Sequence, residues 1–220
     1  MPRGPLQTSD RSPILGGRKK VVLVTGGASG LGQALTLGLA GAGFDVAVQV
    51  VNSPGVAAHL SREVRSRGRR VLLLDRPGDH LDAEEELLRE IEGRFGRLDA
   101  VVTVPGPSPP DEGAPPEETL QEPFRLVRSA SRLLRQARGS VVHCLESDGE
   151  PGAAPLRALT QALSRILAPW VRVNAVAPAV PEDPGEPTLV PQAEEVVRAV
   201  LYVLASPHLN GEVVRADPRR

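Results

Sequence analysis

A chain of 220 residues is long enough to bury a core of its own, and fits one domain with or without a tail. Apolar residues make up 40% but aromatics only 2%, so that core is aliphatic. The 26 basic and 27 acidic residues nearly cancel, which gives no sign of nucleic acid or an anionic membrane as partner.

The single Cys144 excludes an internal disulfide and a thiolate zinc cluster, and suits a reducing cytoplasm. No apolar run reaches roughly 18 residues, and the first residues lack a hydrophobic signal core. The expectation is a cytoplasmic protein without a metal.

Residues 1 to about 18 are rich in proline, glycine and polar side chains, and read as a disordered leader ahead of one domain over 19–217. Val21–Thr25 is a short apolar run, the pattern of a strand buried on both faces. Helical spacing follows over Gly32–Ala42, with Leu35, Leu39 and Ala42 on one side and Gly43 as the stop. Asp45–Val51 predicts a second strand, Val56–Arg67 a second helix and Arg70–Leu74 a third strand. Asp82–Phe95 predicts an acidic-faced helix with Leu87, Leu88, Ile91 and Phe95 inward, before a fourth strand at Leu98–Val104.

Gly106–Pro116 is too proline-dense for helix or central strand. A helix at Leu120–Arg138, a strand at Gly139–Leu145, a loop at Asp148–Pro155, a helix at Leu156–Ala168 and a strand at Val171–Val176 come next. A second proline-rich stretch, Pro178–Pro191, precedes a helix at Ala193–Leu204 and a last strand at Glu212–Arg215. Strands and helices alternate throughout. That order predicts an α/β fold: one doubly wound, Rossmann-type parallel sheet with helices on both faces.

The most informative segment is the loop after the first strand, Gly26-x-x-x-Gly30-x-Gly32. At the carboxyl edge of a doubly wound sheet, the next helix offers free N–H groups and its positive end to an anion. Gly26 and Gly30 let the chain turn tightly and approach a pyrophosphate, and Gly32 lets the helix sit close to the strand. A tight turn with no ligand is the competing reading.

The chain resembles the short-chain dehydrogenase/reductase family over roughly residues 20–215. The resemblance is carried by TGGASGLG at 25–32, RFGRLDAVV at 94–102, GSVV at 139–142, LAPWVRVNAVAP at 167–178 and LYVLASPHLNGEVV at 201–214. RGSVV and APWVRVNAVAP look most like the pteridine-reductase-like branch. The resemblance implies hydride transfer between a nicotinamide (NADP or NAD) and a carbonyl or alcohol. It places the dinucleotide against Thr25, Gly26, Ala28, Ser29, Gly30, Leu31 and Gly32, then Asn52 and Ser53, then Asp75 and Gly106.

It also implies a catalytic tyrosine, a lysine four residues later, a serine and an asparagine. Counting back without gaps from Arg172, those positions fall on Gly149, Ala153 and Glu146, with Thr119 at the asparagine; a shifted register puts Pro155 at the tyrosine. The chain has one tyrosine, Tyr202, and two lysines, Lys19 and Lys20, so no register restores the pair. An unperturbed phenol, with a pKa near 10, is a poor acid–base at neutral pH without a neighbouring cation.

Glu146 is the candidate replacement acid, with Thr119 holding a water; a solvated or capping carboxylate is the plainer reading. His143 and Cys144 alternate along their strand and make a poor dyad, one expected in the core and the other partly exposed.

The second strand ends without the acid that NAD-preferring relatives carry, so Asn52 and Ser53 are either donors to a 2′-phosphate or simple turn residues. Arg62, Arg65, Arg67, Arg69 and Arg70 form a basic run at a helix end, expected to be a solvated face or a docking patch. The resemblance implies a homo-oligomer, or a protein partner, through the helices at 120–138 and 156–168. Three readings remain at this stage. They are a catalytically degenerate NADP- or NAD-binding or regulatory protein, an active oxidoreductase using Glu146, and a structural subunit with a vestigial loop.

Overall fold

A computed structural model of the chain describes residues 19–74, 83–105, 116–145, 153–178 and 193–216. Its elements run β1 (Val21–Val24), α1 (Gly30–Gly41), β2 (Asp45–Gln49), α2 (Pro54–Ser66), β3 (Val71–Leu74), α3 (Ala83–Phe95) and β4 (Ala100–Thr103). They continue α4 (Pro116–Ala137), β5 (Ser140–Cys144), α5 (Ala153–Leu167), β6 (Arg172–Pro178), α6 (Ala193–Ala205) and β7 (Val213–Ala216).

All neighbouring strands are parallel, in the order β3-β2-β1-β4-β5-β6-β7. Alternation along each strand sends side chains to two separate cores. Val22, Val24, Val46, Val48, Val102 and Val142 pack with Leu35, Leu39, Leu60 and Val200 of α1, α2 and α6. Val21, Leu23, Val101, Val141 and Val173 pack with Leu88, Ile91, Leu134 and Leu163 of α3, α4 and α5. Each such side chain contributes about 1.5–3 kcal/mol on burial.

Two buried aspartates tie the amino edge of the sheet. Asp45 accepts from the Arg70 backbone N–H at 2.8 Å and from Arg70 Nε at 2.7 Å. Asp99 accepts from the Val21 N–H and from Arg97 Nε, each at 2.8 Å. Arg172 caps α6, donating to the carbonyls of Val203, Leu204, Ser206 and Leu209 at 2.8–3.3 Å.

Element types agree with the sequence reading; several ends move. Gly30 rather than Gly32 opens α1, because Ser29 caps it. Pro116 belongs to α4 rather than to the preceding loop, as its first residue, where a missing N–H costs nothing. Ala153–Pro155 likewise form the first turn of α5. Val50 and Val51 leave β2 because Asn52 turns the chain at φ +46°. His143 and Cys144 do point to opposite faces, but both are buried. Helices cover both sides of the sheet, so alternation here brings neither side chain to water.

The basic run after α2 is used mostly in local structure. Arg67 pairs with Glu63 at 3.0 Å, Arg69 donates to the Gly43 carbonyl at 3.0 Å, and Arg70 lies 4.8 Å over the Phe95 ring as well as bonding Asp45.

Candidate functional site

The sheet order places β1 between β2 and β4, so the chain leaves the carboxyl ends of these strands in opposite directions. That opens the crevice where doubly wound sheets take ligands. The glycine loop lines it. Gly26 adopts φ +62°, a conformation open to glycine, and a Cβ there would stand 2.7 Å from the Val104 carbonyl oxygen. A Cβ on Gly32 would stand only 2.1 Å from the Gly26 carbonyl oxygen.

Ser29 holds the turn by donating to the Gly26 carbonyl at 2.8 Å and accepting from the Gly32 N–H at 3.0 Å. Thr25 Oγ1 accepts from the Val104 N–H at 3.2 Å, joining the ends of β1 and β4. Gly30 differs from its neighbours, since a Cβ there meets nothing within 4 Å. The N–H groups of Gly30 and Leu31, in the first turn of α1, find no partner among the described residues. The loop therefore fits a phosphate: a rigid turn, free donors and the positive helix end on one open side.

Beyond β2, Asn52 and Ser53 stand at the entrance to α2, and Ser53, in the N-cap position, makes no side-chain capping bond. Val51 is partly exposed beside them. Asp75, Gly106, Glu146 and Gly149 lie outside the described residues, and Thr119 falls within α4 without a described side chain. The structure thus brings together Thr25 to Gly32 and sets Asn52 and Ser53 at the end of the adjacent strand.

At the carboxyl edge, on the side facing α4 and α5, Thr103 Oγ1 and His143 Nδ1 lie 2.8 Å apart, both buried. His143 Nε2 has no hydrogen-bond partner among the described residues. Burial pushes the imidazole down to about 4 and the Cys144 thiol up to about 12. The Thr103–His143 pair was missed in the sequence. The signal that finds it is the strand register, which sets Thr103 opposite His143.

Ala153 opens α5 and is buried. Tyr202 sits on α6, across the sheet from α5, with 55% of its surface exposed. Lys19 and Lys20 precede β1, at the amino edge. Neither residue type stands at the carboxyl edge on the α5 side. Among the described residues no cluster of His, Cys, Asp and Glu could hold a metal, and no helix is long and apolar enough to cross a membrane.

A doubly wound sheet with a phosphate-type glycine loop at its switch point defines a dinucleotide-binding type of fold. Residues 20–144 match the short chain dehydrogenase family. An uncharacterized oxidoreductase of Mycobacterium tuberculosis is 30% identical over 180 residues, covering 72% of this chain and 68% of that one. The 3-oxoacyl-(acyl-carrier-protein) reductase of Staphylococcus aureus is 28% identical over 180 residues, covering 72% and 73%. Among solved structures, acetoin dehydrogenase from Enterobacter cloacae superposes with a TM-score of 0.74 at 22% identity, covering 93% of this chain and 99% of that one. The chain belongs to the short-chain dehydrogenase/reductase family.

Proposed function

We propose that this chain binds a nicotinamide dinucleotide in its glycine loop, does not turn over carbonyl substrates, and works through contacts with another protein. The observation that carries this reading is a pairing of opposites. The phosphate-type loop keeps its tight turn and free donors, while the chain's single tyrosine lies on α6 and its two lysines lie ahead of β1.

Thr25, Gly26, Ala28, Ser29, Gly30, Leu31 and Gly32 would hold the pyrophosphate, and Asn52 and Ser53 the adenosine ribose. The absence of an acid at the end of β2 favours NADP over NAD. When bound, such a cofactor supplies hydride chemistry. What the residues of this chain do not supply is a phenol beside a cation to move the accompanying proton. Gly149, Ala153, Glu146 and Thr119 take the places of the family's tyrosine, lysine, serine and asparagine, which supports loss of catalysis. Loss of the lysine also removes a ribose contact, so binding is weaker than in active relatives.

The domain spans 19–217 after a leader, in the pteridine-reductase-like branch, and works in the cytoplasm. The test is oxidation of NADPH and NADH against panels of carbonyl and pterin substrates. No substrate-dependent oxidation is expected. Turnover that disappears in Glu146→Gln would overturn the reading and establish rearranged acid chemistry instead.

A further inference from the structure

The near-cancellation of charge over the whole chain conceals where the charges lie. All strands are parallel and the helices between them run back, so strand starts and helix ends share the amino edge of the sheet. Cations crowd that edge. Lys19 and Lys20 stand ahead of β1, Arg69 and Arg70 ahead of β3, Arg97 ahead of β4 and Arg138 ahead of β5. Arg65 and Arg94 occupy the last turns of α2 and α3.

Most acids near that edge are already taken up. Asp45, Glu63 and Asp99 pair with Arg70, Arg67 and Arg97. Lys19, Lys20, Arg65, Arg69, Arg94 and Arg138 have no carboxylate partner among the described residues. Arg69 donates to the carbonyls of Gly68 and Gly43, which leaves its charge unbalanced. Glu84, Glu85, Glu86, Glu194 and Glu195 stand at the opposite edge, in the first turns of α3 and α6, while Glu212 lies before β7 at the far end of the amino edge. Trp170, between α5 and β6, is 45% exposed, with the Arg138 guanidinium 5.2 Å over its ring.

We infer that the amino edge docks this protein on an anionic bilayer. From Arg69 before β3 to Trp170 before β6 the edge crosses six strands, about 24 Å at ordinary strand spacing. The ends of α2 and α3 widen the row into a patch. A negative plane meets all of these cations at once, whereas an acidic helix, about 10–12 Å across, covers a strip of them. Each Lys or Arg held near an anionic leaflet adds to the attraction, and tryptophan is favoured at headgroup depth. Nucleic acid fits less well. Duplexes are read by an element projecting into a groove, single strands by several stacking aromatics, and this edge of turns offers Trp170 beneath Arg138. The acids of the opposite edge complete the orientation: repelled by the bilayer, they turn the glycine loop toward water.

The edge is made of helix ends, so copies of this chain that pair along the sides of α4 and α5 leave it open. It also lies opposite the glycine loop, so its test is separate from that of dinucleotide binding.

The experiment is co-sedimentation of the full chain with vesicles of phosphatidylcholine and phosphatidylserine at about 3:1, beside vesicles of phosphatidylcholine alone. Emission of the single Trp170, with lipid brominated near the headgroup end of its acyl chains as quencher, reports contact. The expected result is binding to the anionic vesicles only, quenching of Trp170, and release as salt rises from about 0.05 to 0.5 M. Lys19→Gln with Lys20→Gln, and separately Arg65→Gln with Arg94→Gln, are each expected to weaken binding at least about tenfold, near fivefold per cation. Arg89→Gln with Arg128→Gln removes the same charge from exposed helix sides and should bind as the wild type does. The two edge pairs sit on different elements, so one stays readable if the other does not fold.

Four results would overturn the proposal. The first is no binding to anionic vesicles at low salt. The second is binding that leaves Trp170 unquenched. The third is an edge pair that binds like the wild type, or a helix-side pair that weakens binding as much. The last is tighter binding of a duplex oligonucleotide or of polyglutamate than of the vesicles, which would make nucleic acid or an acidic protein the occupant.

Discussion

Thr103 Oγ1 lies 2.8 Å from His143 Nδ1 inside the sheet, and the other ring nitrogen of His143 has no hydrogen-bond partner among the described residues. The two side chains share one face because β4 and β5 run parallel with Thr103 opposite His143. Only one ring nitrogen of a buried imidazole is satisfied, so the ring is held neutral.

Stability should carry the mark of that neutral ring. Burial holds the folded imidazole at about 4 against an ordinary 6.5. Below about pH 6.5 the unfolded chain takes up a proton that the folded chain refuses, so stability falls as pH drops toward 4 and is flat above 6.5 from this source. The full effect is about 3 kcal/mol. Urea unfolding of wild type and His143→Gln at pH 5 and pH 7.5 checks it, and the variant should lose part of the acid-side decline.

Substitutions in the glycine loop should separate folding from ligand binding. Gly32→Ala drives a methyl against the Gly26 carbonyl, where a Cβ would stand at 2.1 Å, and should cost about 3 kcal/mol or more. Gly30→Glu points into open space and should unfold at close to the wild-type temperature. Thermal unfolding of the two variants distinguishes these outcomes.

The guanidinium of Arg172 holds four carbonyls at and beyond the end of α6. Arg172→Met should cost about 3 kcal/mol and loosen α6 first, because those acceptors lose a charged donor together. Hydrogen exchange should show α6 amides losing protection ahead of β1 amides.

Cys144 is buried with its thiol pushed up to about 12, so the native chain should resist thiol reagents at pH 8. Labelling should follow chain opening, rising with urea in parallel with unfolding. Fast labelling of the folded chain would contradict this burial.

Much of this fold is legible in local sequence. Val21–Val24 announces a strand buried on both faces, Gly26, Gly30 and Gly32 mark the turn, and Leu87, Leu88 and Ile91 face inward at helical spacing. Each is a short-range pattern, so it survives without knowledge of neighbours. The Thr103–His143 pair depends on register between strands some 40 residues apart, which no local pattern carries. The start of α4 at Pro116 was obscured because proline breaks helices inside yet suits their first position. The site is half legible for a related reason. Its phosphate end is built from consecutive residues, whereas Thr119, Glu146 and Gly149, the positions proposed for the family's catalytic group, are scattered along the chain, and no local pattern groups them.

Calorimetric titration of the full chain with NADPH, beside the folded Gly30→Glu variant, tests the central claim most directly. Saturable heat below about 1 mM in the wild type, absent in Gly30→Glu, is the expected result. No heat from the wild type at millimolar NADPH or NADH, or equal heat from both proteins, would contradict it and leave the glycine loop as a turn without a ligand.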